Sequence, residues 1–341
     1  MNKQNNQNTV ILKTLGVPII NSSKHLCEQL SITEQALFFL TFKKDNCYCV
    51  KEIPKNDGTK RILHVPNLYL KVIQRWILNE ILEKINVSKQ AMAFVPKKNG
   101  LKDNALQHKE KLFILEMDIT NFFGSINKRQ VYKLFSSIGY NNKVANLLAE
   151  LCTYNDELPQ GAITSPYLAN LICFHMDSRI NGYCSRRDIV YTRYADDLAF
   201  SSDNRTILNK TEKFIKYVVE DEGFLINNKK TRYLSNDVKK TVTGITINYN
   251  SIHVDKTLKK YLRAQIFESI KTMNYADNDN IRGKIAFIDS IEDGFKDRMV
   301  KYIEHIIIKP YFTIDSNIVR AFNNNKLYPE LPNMKLNDEL K

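Results

Sequence analysis

Two adjacent acidic residues carry the clearest chemical signal in the chain. Asp196 and Asp197 follow Tyr194-Ala195, between two β-rich runs within residues 188–202, so we predict a hairpin with both carboxylates at its tip. Such close carboxylates repel each other unless a cation lies between them. Mg²⁺ is a hard cation that usually takes one or two carboxylates together with substrate phosphates. The alternative interpretation is a solvated turn, since Asp is common in turns.

A third carboxylate strengthens the prediction of a metal site. Asp118 ends the apolar run of residues 112–119, a predicted buried strand, and Phe122-Phe123 follow it. A buried acid is costly unless it binds a metal or a partner. If the strands bring Asp118 beside Asp196, three carboxylates can hold two Mg²⁺ ions, the arrangement that clamps both oxygens of an in-line phosphoryl displacement. A turn or helix-cap Asp is the alternative.

The segment LPQGAITSP, residues 158–166, lies between these acidic positions. Gly161 permits a substrate to approach the backbone closely. Pro166 suits the start of a helix, with Ser165 or Thr164 as its cap. As an isolated turn the segment is unremarkable, and its position between the two acidic sites is what makes it a candidate functional loop.

The elements that position these residues form an α+β body followed by helices. The predicted β-rich stretches are residues 48–65 (interrupted by the turn Asn56-Asp57-Gly58), 112–119, 188–202 and 224–250. The predicted helical stretches are residues 10–45, 68–86, 128–153, 161–181, 207–222, 280–291 and 296–308, together with a helix that places Leu258, Leu262, Ile266 and Ile270 on one face. Residues 1–9 are predicted to be a polar tail, and Trp76 a core residue.

Composition excludes several classes of protein. With 341 residues, 43% of them hydrophobic, the chain can bury a sizeable core and is not a disordered protein. No run of 18 apolar residues occurs, so no membrane span is expected. The start MNKQNNQNTV has no apolar signal core, and six Cys are too few for a disulfide framework. We therefore expect a cytosolic protein with reduced thiols.

Charge points to a polyanionic partner. The 50 Lys and Arg against 37 Asp and Glu leave a formal net charge of +13, a field that favours nucleic acid. Two basic segments stand out: residues 97–111 hold five Lys against two acids, and residues 225–240 hold five Lys or Arg against one acid. A merely basic protein from a Lys-rich and Asn-rich proteome is the alternative.

The order of these motifs resembles that of reverse transcriptases, over about residues 50 to 250. The matching segments are Asp118 with Phe122-Phe123 (the first catalytic-Asp motif), Leu158 to Pro166 (P-Q-G…S-P), Tyr194 to Asp197 (Y-x-D-D), and Gly223-Phe224-Leu225-Ile226-Asn227 with Lys229-Lys230-Thr231 (the following palm motif). Phe224 stands where Leu is commoner in the family, and Ala162-Ile163-Thr164 is one variant of a variable loop.

The chain is more narrowly similar to bacterial retron reverse transcriptases. Asn104-Ala105-Leu106-Gln107-His108 matches their N-A-x-x-H region, and Val242-Thr243-Gly244 matches their V-T-G region, which recognises a structured RNA. The resemblance implies RNA-binding roles for Asn104, His108, Val242, Thr243 and Gly244. For His108, packing inside the protein is the open alternative to an RNA hydrogen bond.

The resemblance also implies roles for the residues around the carboxylates. Asp118, Asp196 and Asp197 would be catalytic and would hold two Mg²⁺ ions. Phe123 would stand under the sugar of the incoming dNTP and clash with a ribose 2′-OH, and a core Phe beside Phe122 is the alternative. Gln160 and Gly161 would touch the templating base pair.

Basic residues are the expected partners of the dNTP triphosphate. Arg61 offers a guanidinium fork for phosphate oxygens, with Lys55 or Lys60 assisting. Either Lys229 or Lys230 would protonate the leaving pyrophosphate. A solvated basic turn or loop is the alternative for each of these lysines.

The implied architecture is a right-hand polymerase with fingers, a palm of antiparallel sheet plus helices, and an all-helical thumb. The predicted limits are 1–45 for an N-terminal helical segment, 46–110 for the fingers, 111–250 for the palm, 251–320 for the thumb and 321–341 for a C-terminal tail.

The implied function is that of a retron enzyme. It binds a cognate noncoding RNA, primes from the 2′-OH of an internal guanosine, and makes single-stranded DNA joined to that RNA, within a bacterial antiphage system in which the complex restrains an effector protein. The alternatives are another bacterial reverse transcriptase, of the abortive-infection or intron type, or a catalytically idle RNA-binding scaffold. The intact acidic motifs argue against the scaffold.

Overall fold

The computed structural model describes residues 2–54, 58–96, 98–235, 237–248 and 250–308. The chain divides into two compact units, one formed by the residues up to Gly100 with residues 111–235, and the other by residues 101–110 with the chain from residue 236 onward. Lys55, the predicted turn residues Asn56-Asp57, and residues 309–341 lie outside the described residues.

The described residues contain both α-helices and β-strands, with the following bounds. The helices are α1 (Asn2–Leu15), α2 (Ser23–Leu30), α3 (Glu34–Phe42), α4 (Leu68–Glu80), α5 (Gly100–Gln107), α6 (Lys128–Ile138), α7 (Asn142–Cys152), α8 (Ser165–Ile172), α9 (Phe174–Ser185), α10 (Arg205–Asp221), α11 (Lys256–Thr272), α12 (Asn278–Ile291) and α13 (Phe295–Ile308). The strands are β1 (Tyr48–Pro54), β2 (Lys60–Pro66), β3 (Phe113–Asp118), β4 (Val190–Tyr194), β5 (Asp197–Ser202), β6 (Arg232–Leu234), β7 (Thr241–Val242), β8 (Ile245–Ile247) and β9 (Ile252–His253).

A four-stranded antiparallel sheet forms the centre of the first unit, with strand order β4-β5-β3-β6. One face of β3 is apolar, because Leu115 and Met117 alternate along the strand and belong to the hydrophobic core. Helices α9 and α10 pack against this sheet, and α4, α6 and α7 pack on one another beside it. Of these helices, α10 packs against β3, the strand that ends in Asp118.

A separate two-stranded hairpin, β1-β2, belongs to the same unit. β1 exposes six of its seven residues and β2 exposes three of seven, whereas the paired residues Tyr48 and Pro66 at the base of the hairpin are buried. Its base joins α4, where Trp76 is half-buried and packs against the hydrophobic core, as predicted. The spacing of Val72, Trp76, Ile77 and Ile81 in the sequence predicts one apolar face on this helix, but Val72 is 63% exposed.

Two sequence-based element predictions need correction. The predicted polar tail of residues 1–9 is wrong from residue 2 onward, because α1 begins at Asn2. A helix is defined by backbone hydrogen bonds, which a polar segment forms without any apolar periodicity. The predicted helix over 128–153 is two helices, because Gly139 ends α6 at a φ of +117° and the Asn141 side chain caps α7.

The second unit contains a small sheet and a helical bundle. Strands β7, β8 and β9 form a three-stranded antiparallel sheet. Helices α11, α12 and α13 pack on one another. The predicted apolar face of α11 is confirmed, since Leu262, Ile266 and Ile270 are buried.

The predicted α+β class is confirmed, with antiparallel sheets and helices in the described parts of both units. Within the residues that the structure describes, none of the helices has the length and apolar character needed to cross a membrane.

Candidate active site

Three acidic side chains meet at one edge of the four-stranded sheet, and we call them the acidic cluster (Asp118, Asp196 and Asp197). Asp118 ends β3 and lies opposite Asp197, the first residue of β5, in the antiparallel register. Asp196 lies in the two-residue turn between β4 and β5, and its carbonyl oxygen accepts a hydrogen bond from the Ile119 N–H at 2.9 Å. Strand pairing thus brings the distant sequence motifs together.

Burial makes the charged state of this cluster costly. Asp118 is only 6% exposed. Burial first, and then repulsion from Asp118, raises the pKa of Asp196, although Lys230 and Arg61 oppose the shift. Burial, followed by repulsion from its two acidic neighbours, raises the pKa of Asp197 to about 6. A cation bound among the three carboxylates would offset these penalties.

Lys230 is the lysine that contacts the cluster. Its Nζ donates a hydrogen bond to Asp118 Oδ2 at 2.8 Å, and this bond raises the pKa of Lys230. Backbone pairing brings it there, because Asn227 N–H donates to Asp118 O and Thr120 N–H donates to Leu225 O, each at 2.8 Å. The described structure therefore favours Lys230 over its exposed neighbour Lys229 as the lysine of this site.

Glu116 is a fourth carboxylate that the sequence analysis did not single out. It lies two residues before Asp118 on β3, so both side chains project from the same face of the sheet. Burial raises the pKa of Glu116 to about 7, with Asp197 adding to the shift and Arg232 opposing it. Arg232 Nη2 lies 3.4 Å from Glu116 Oε2. The alternation of acidic positions in FILEMD was the available signal.

The loop that precedes α8 is fastened to the β1-β2 hairpin. His64 N–H in β2 donates to Gln160 O at 2.7 Å. Gly161 has a φ of +111°, and a Cβ there would lie 3.0 Å from His64 O, so the close approach requires glycine. Ser165 Oγ donates to Pro159 O at 2.9 Å, and this hydrogen bond connects the two ends of the loop.

Buried Gln74 on α4 holds the other side of this loop. Its Oε1 accepts from the Ile163 N–H at 3.2 Å, while its Nε2 donates to Leu151 O at 3.0 Å and to Tyr48 Oη at 3.2 Å. A buried amide with these partners has little conformational freedom. Gln160 and Gly161 are therefore presented by a rigid support.

The basic residues of the hairpin differ in their surroundings. Arg61 is exposed, and its positive charge opposes the rise in the pKa of Asp196. Lys60 forms an ion pair with Glu52 across the hairpin at 2.6 Å. Arg61 is thus the hairpin cation whose field reaches the acidic cluster.

Phe123, five residues after Asp118, is half-buried, packs against the hydrophobic core and has aromatic neighbours. Its ring meets that of buried Phe122 edge-on at 5.3 Å between centroids, and Phe122 lies 5.9 Å from Phe224. The Phe94 ring lies 6.5 Å from Phe123 on the other side. Phe224, unusual in its motif, therefore supports the aromatic pair.

The two motifs assigned to RNA recognition form one structural element of the second unit. Asn104 and Val242 are buried, as is His108, whose burial lowers its pKa to about 3. Asn104 Nδ2 donates to Thr243 Oγ1 at 3.3 Å. Thr243 and exposed Gly244 have φ of +48° and +79° and form the turn between β7 and β8.

The acidic cluster has the donor set that a divalent cation requires. Carboxylate oxygens from a strand end and an adjacent turn suit Mg²⁺, which binds proteins through few carboxylates. In the described residues, no group of three or more His, Cys, Asp or Glu side chains already surrounds a common point at ligand distance. Lys230 instead neutralises Asp118 in this arrangement. The fit of these residues to a cation rests on their carboxylate chemistry and on their shared position at the strand ends.

Comparison with known families identifies the class. The family described as "Reverse transcriptase (RNA-dependent DNA polymerase)" matches residues 53–249, more than half of the chain. The chain belongs to this family, whose members use divalent metal ions.

Curated relatives narrow the identification to the retron branch. The chain is 33% identical to the retron Ec86 reverse transcriptase of Escherichia coli over 301 residues, which cover 88% of this chain and 93% of that protein. It is 29% identical to the retron Mx65 reverse transcriptase of Myxococcus xanthus, over 85% of this chain and 73% of that protein. These similarities confirm the retron resemblance and RNA-directed DNA polymerase activity.

A solved structure of similar fold is apo telomerase from Candida tropicalis, with a TM-score of 0.54 and 14% identity. The match covers 82% of this chain and 61% of that one. At this identity the likeness concerns the fold alone, and it agrees with an α+β polymerase fold.

Proposed function

We propose that this chain is the polymerase of a retron: it binds a cognate structured noncoding RNA, primes from the 2′-OH of an internal guanosine, and extends single-stranded DNA that stays joined to the RNA. The observation that carries the proposal is the convergence of Asp118, Asp196 and Asp197 beside Lys230, in a chain similar to retron reverse transcriptases over most of its length.

The acidic cluster is the proposed site for two Mg²⁺ ions. Asp118 and Asp196 are the more direct proposed ligands, with Asp197 beside them. When bound, a pair of such ions stabilises the attacking and leaving oxygens of an in-line displacement at phosphorus. The protein's contribution is to hold the three carboxylates at one sheet edge and to exclude bulk water from Asp118.

Lys230 is the proposed proton donor to the leaving pyrophosphate. Its ammonium group is protonated and already lies at the cluster, 2.8 Å from Asp118. A donor in this position can transfer a proton to a phosphate oxygen as negative charge develops there. Its release from Asp118 would accompany cation binding, because the two positive charges compete for one carboxylate.

The remaining side chains are proposed to position the incoming dNTP. Arg61 suits the triphosphate because a guanidinium fork matches phosphate oxygens, and Lys60 would assist once free of Glu52. The Phe123 ring would exclude a ribose 2′-OH. Gln160 and Gly161 would contact the templating base pair from their rigid loop.

RNA recognition is proposed for the β7-β8 turn. Thr243 and Gly244 are accessible at that turn, whereas Asn104, His108 and Val242 are buried and would act by holding it. Structured RNA is recognised largely through shape, unpaired bases and 2′-hydroxyls. The Lys-rich segments, residues 97–111 and 225–240, would supply phosphate contacts and salt dependence.

The cellular setting is proposed by extension from the family. Antiphage defence, with an effector protein restrained by the polymerase–RNA–DNA complex in the bacterial cytoplasm, accords with a retron enzyme. Deleting the polymerase from its native locus and measuring phage plating efficiency tests this setting separately from the chemistry.

One purification tests the chemistry. The protein is isolated from cells that carry its native locus, and the co-purifying nucleic acid is treated with RNase, DNase or a 2′,5′-debranching enzyme. We expect a discrete single-stranded DNA joined to RNA, with a mobility shift on debranching. RNA without linked DNA would refute branched priming and favour the scaffold. DNA joined to protein, or with a free 5′ end, would indicate another class of reverse transcriptase.

A further inference from the structure

A fully buried ion pair lies directly behind the Ala195-Asp196 turn. Arg193 on β4 and Asp177 on α9 are both inaccessible to solvent. The guanidinium donates from Nε to Asp177 Oδ1 at 2.9 Å and from Nη2 to Asp177 Oδ2 at 2.8 Å. This two-pronged geometry fixes the plane of the guanidinium as well as its position.

One contact of this pair reaches the turn that carries Asp196. Arg193 Nη1 donates to Ala195 O at 3.4 Å. Ala195 has a φ of +57°, a left-handed conformation that is unfavourable for a residue with a Cβ and persists only when its surroundings enforce it. The guanidinium thus contacts the strained residue that immediately precedes Asp196.

A second set of contacts ties the same arginine to the segment of residues 90–93. Arg193 Nη1 donates to Asn170 Oδ1 at 3.0 Å, and Asn170 Nδ2 donates to Ala93 O at 2.8 Å. The backbones are also joined, because Arg193 N–H donates to Gln90 O and Met92 N–H donates to Arg193 O, each at 2.8 Å.

The segment held in this way leads into Phe94, the neighbour of Phe123. Phe94 has a φ of +59° and is 46% exposed. A bulky residue in this conformation is a true outlier, of the kind found at functional sites. Its ring faces Phe123 at 6.5 Å between centroids. The hydrogen bonds therefore connect the two sides of the nucleotide site, the carboxylates and the aromatic residues.

Stability alone is a weak explanation for this arrangement. A buried ion pair gives little net stability compared with apolar residues of similar volume, because both charges must be desolvated. A buried polar network whose members are all hydrogen-bonded, however, restricts its elements to one arrangement. Positioning is the property that this network provides and that an apolar core would not.

We infer that Asp177, Arg193 and Asn170 form a positioning network that sets the distance between the Ala195-Asp196 turn and the Phe94–Phe123 pair, and thereby the selection of deoxyribonucleotides over ribonucleotides. None of the three touches the nucleotide. The inference rests on the proposed role of Phe123 as the residue that excludes the 2′-OH.

The test is steady-state extension of an oligo(dT) primer on poly(rA) by the full-length protein, with dTTP and with UTP. Asn170→Ala removes the link to Ala93, so we expect the KM for dTTP to rise and the preference for dTTP over UTP to fall, each by about tenfold, as for a small misplacement of substrate. Asn170→Asp gives a second measurement in a chain that keeps an acceptor for Arg193 and loses the donor to Ala93.

Thr211→Val is the matched control, because it removes the part-buried hydrogen bond of another buried side chain, to Ile207 O on α10, away from this network. We expect it to lower the melting temperature without changing KM or sugar preference. If both Asn170 variants keep the wild-type KM and preference, or if Thr211→Val changes them equally, the network is merely structural. Phe123→Val tests the proposed exclusion of the ribose 2′-OH by Phe123. An unchanged preference for dTTP over UTP in this variant would refute that role, and with it this inference.

Discussion

Two groups of motif residues that look alike in the sequence have opposite surroundings in the structure. The acidic cluster gathers carboxylates whose repulsion and burial are only partly compensated, so that the pKa of Asp197 rises to about 6. The N-A-x-x-H and V-T-G residues instead form a closed element, in which Asn104 and His108 are buried and Asn104 bonds to Thr243. One group holds charges that a bound cation would offset, and the other is largely occupied in holding a turn.

A short motif therefore indicates that its residues matter without indicating that they contact a ligand. Clustered charges that the protein leaves partly unneutralised are costly for folding and are kept for chemistry. Buried polar residues with satisfied hydrogen bonds are kept for geometry. Substitutions should therefore separate the two groups, with loss of activity at constant stability in the first and loss of stability or RNA affinity in the second.

The largest expected effect comes from the acidic cluster. Asp196→Asn removes a charge but keeps the size of the side chain, so primer extension should fall by about a thousandfold or more, the consequence of losing several kcal/mol of transition-state stabilisation by metal. Single-nucleotide incorporation by the full-length protein measures it. The melting temperature of the metal-free variant should equal or exceed that of the wild type, because repulsion from Asp118 is relieved. A large loss of stability would instead show that Asp196 serves the fold, like the buried residues of the N-A-x-x-H and V-T-G motifs.

Lys230 should give the next largest effect. Lys230→Met retains the aliphatic part of the side chain and removes the proposed proton donor, and the rate of nucleotide incorporation should fall by about a hundredfold, the usual contribution of a general acid. Lys229→Met is the control, since this exposed neighbour carries the same charge on the same short helical turn. Equal losses for the two variants would show that only the overall positive charge matters.

The raised pKa of Asp197 predicts a pH dependence of metal binding. Protons and Mg²⁺ compete for the carboxylate, so at low Mg²⁺ the activity should fall by roughly tenfold for each pH unit below about 6. Excess Mg²⁺ should shift the midpoint to lower pH. A midpoint that stays in place when Mg²⁺ is varied would assign the titration to a group outside the metal site.

The same shift predicts how stability changes with pH in the absence of metal. Because the pKa of Asp197 is higher in the folded than in the unfolded chain, ionisation favours unfolding. Its destabilising contribution is absent below the unfolded pKa, grows as pH rises towards about 6, and is constant above. Asp197→Asn should remove this contribution, so the difference in melting temperature between variant and wild type in EDTA should grow over that interval. A constant difference would contradict the raised pKa.

Sequence patterns predicted the strand that ends at Asp118 and the tight turn at Asp196. They offered the pairing of these two elements as a possibility, and the structure shows it. Contacts without a local pattern were not predicted. The partnership of Arg193 with Asp177 is such a contact, since it joins a strand to a helix that no spacing rule relates. Glu116 differs, because the alternation of β3 was an available signal that was not used.

Burial was the other property that residue types did not reveal. Asn, His and Thr are equally suited to binding RNA or to satisfying buried backbone and side-chain groups. The sequence analysis left both possibilities open for His108, and the structure shows it inside the protein. Long-range packing, which decides burial, is not encoded in a five-residue motif.

The smallest expected effect on polymerisation comes from the closed element. Asn104→Ala breaks the bond to Thr243 and leaves buried groups unpaired, which should lower the free energy of unfolding by about 1–3 kcal/mol. Extension of an unrelated primer–template should stay within about threefold of wild type, because no group that contacts the nucleotide is removed. Affinity for the cognate RNA should fall, since the β7-β8 turn loses its support.

Gln107→Ala, at an exposed position of the same helix, is the control for both measurements. If Asn104→Ala weakened RNA binding with no change in stability, the buried amide would have to reach the RNA directly, and the contrast between the two groups of residues would be wrong.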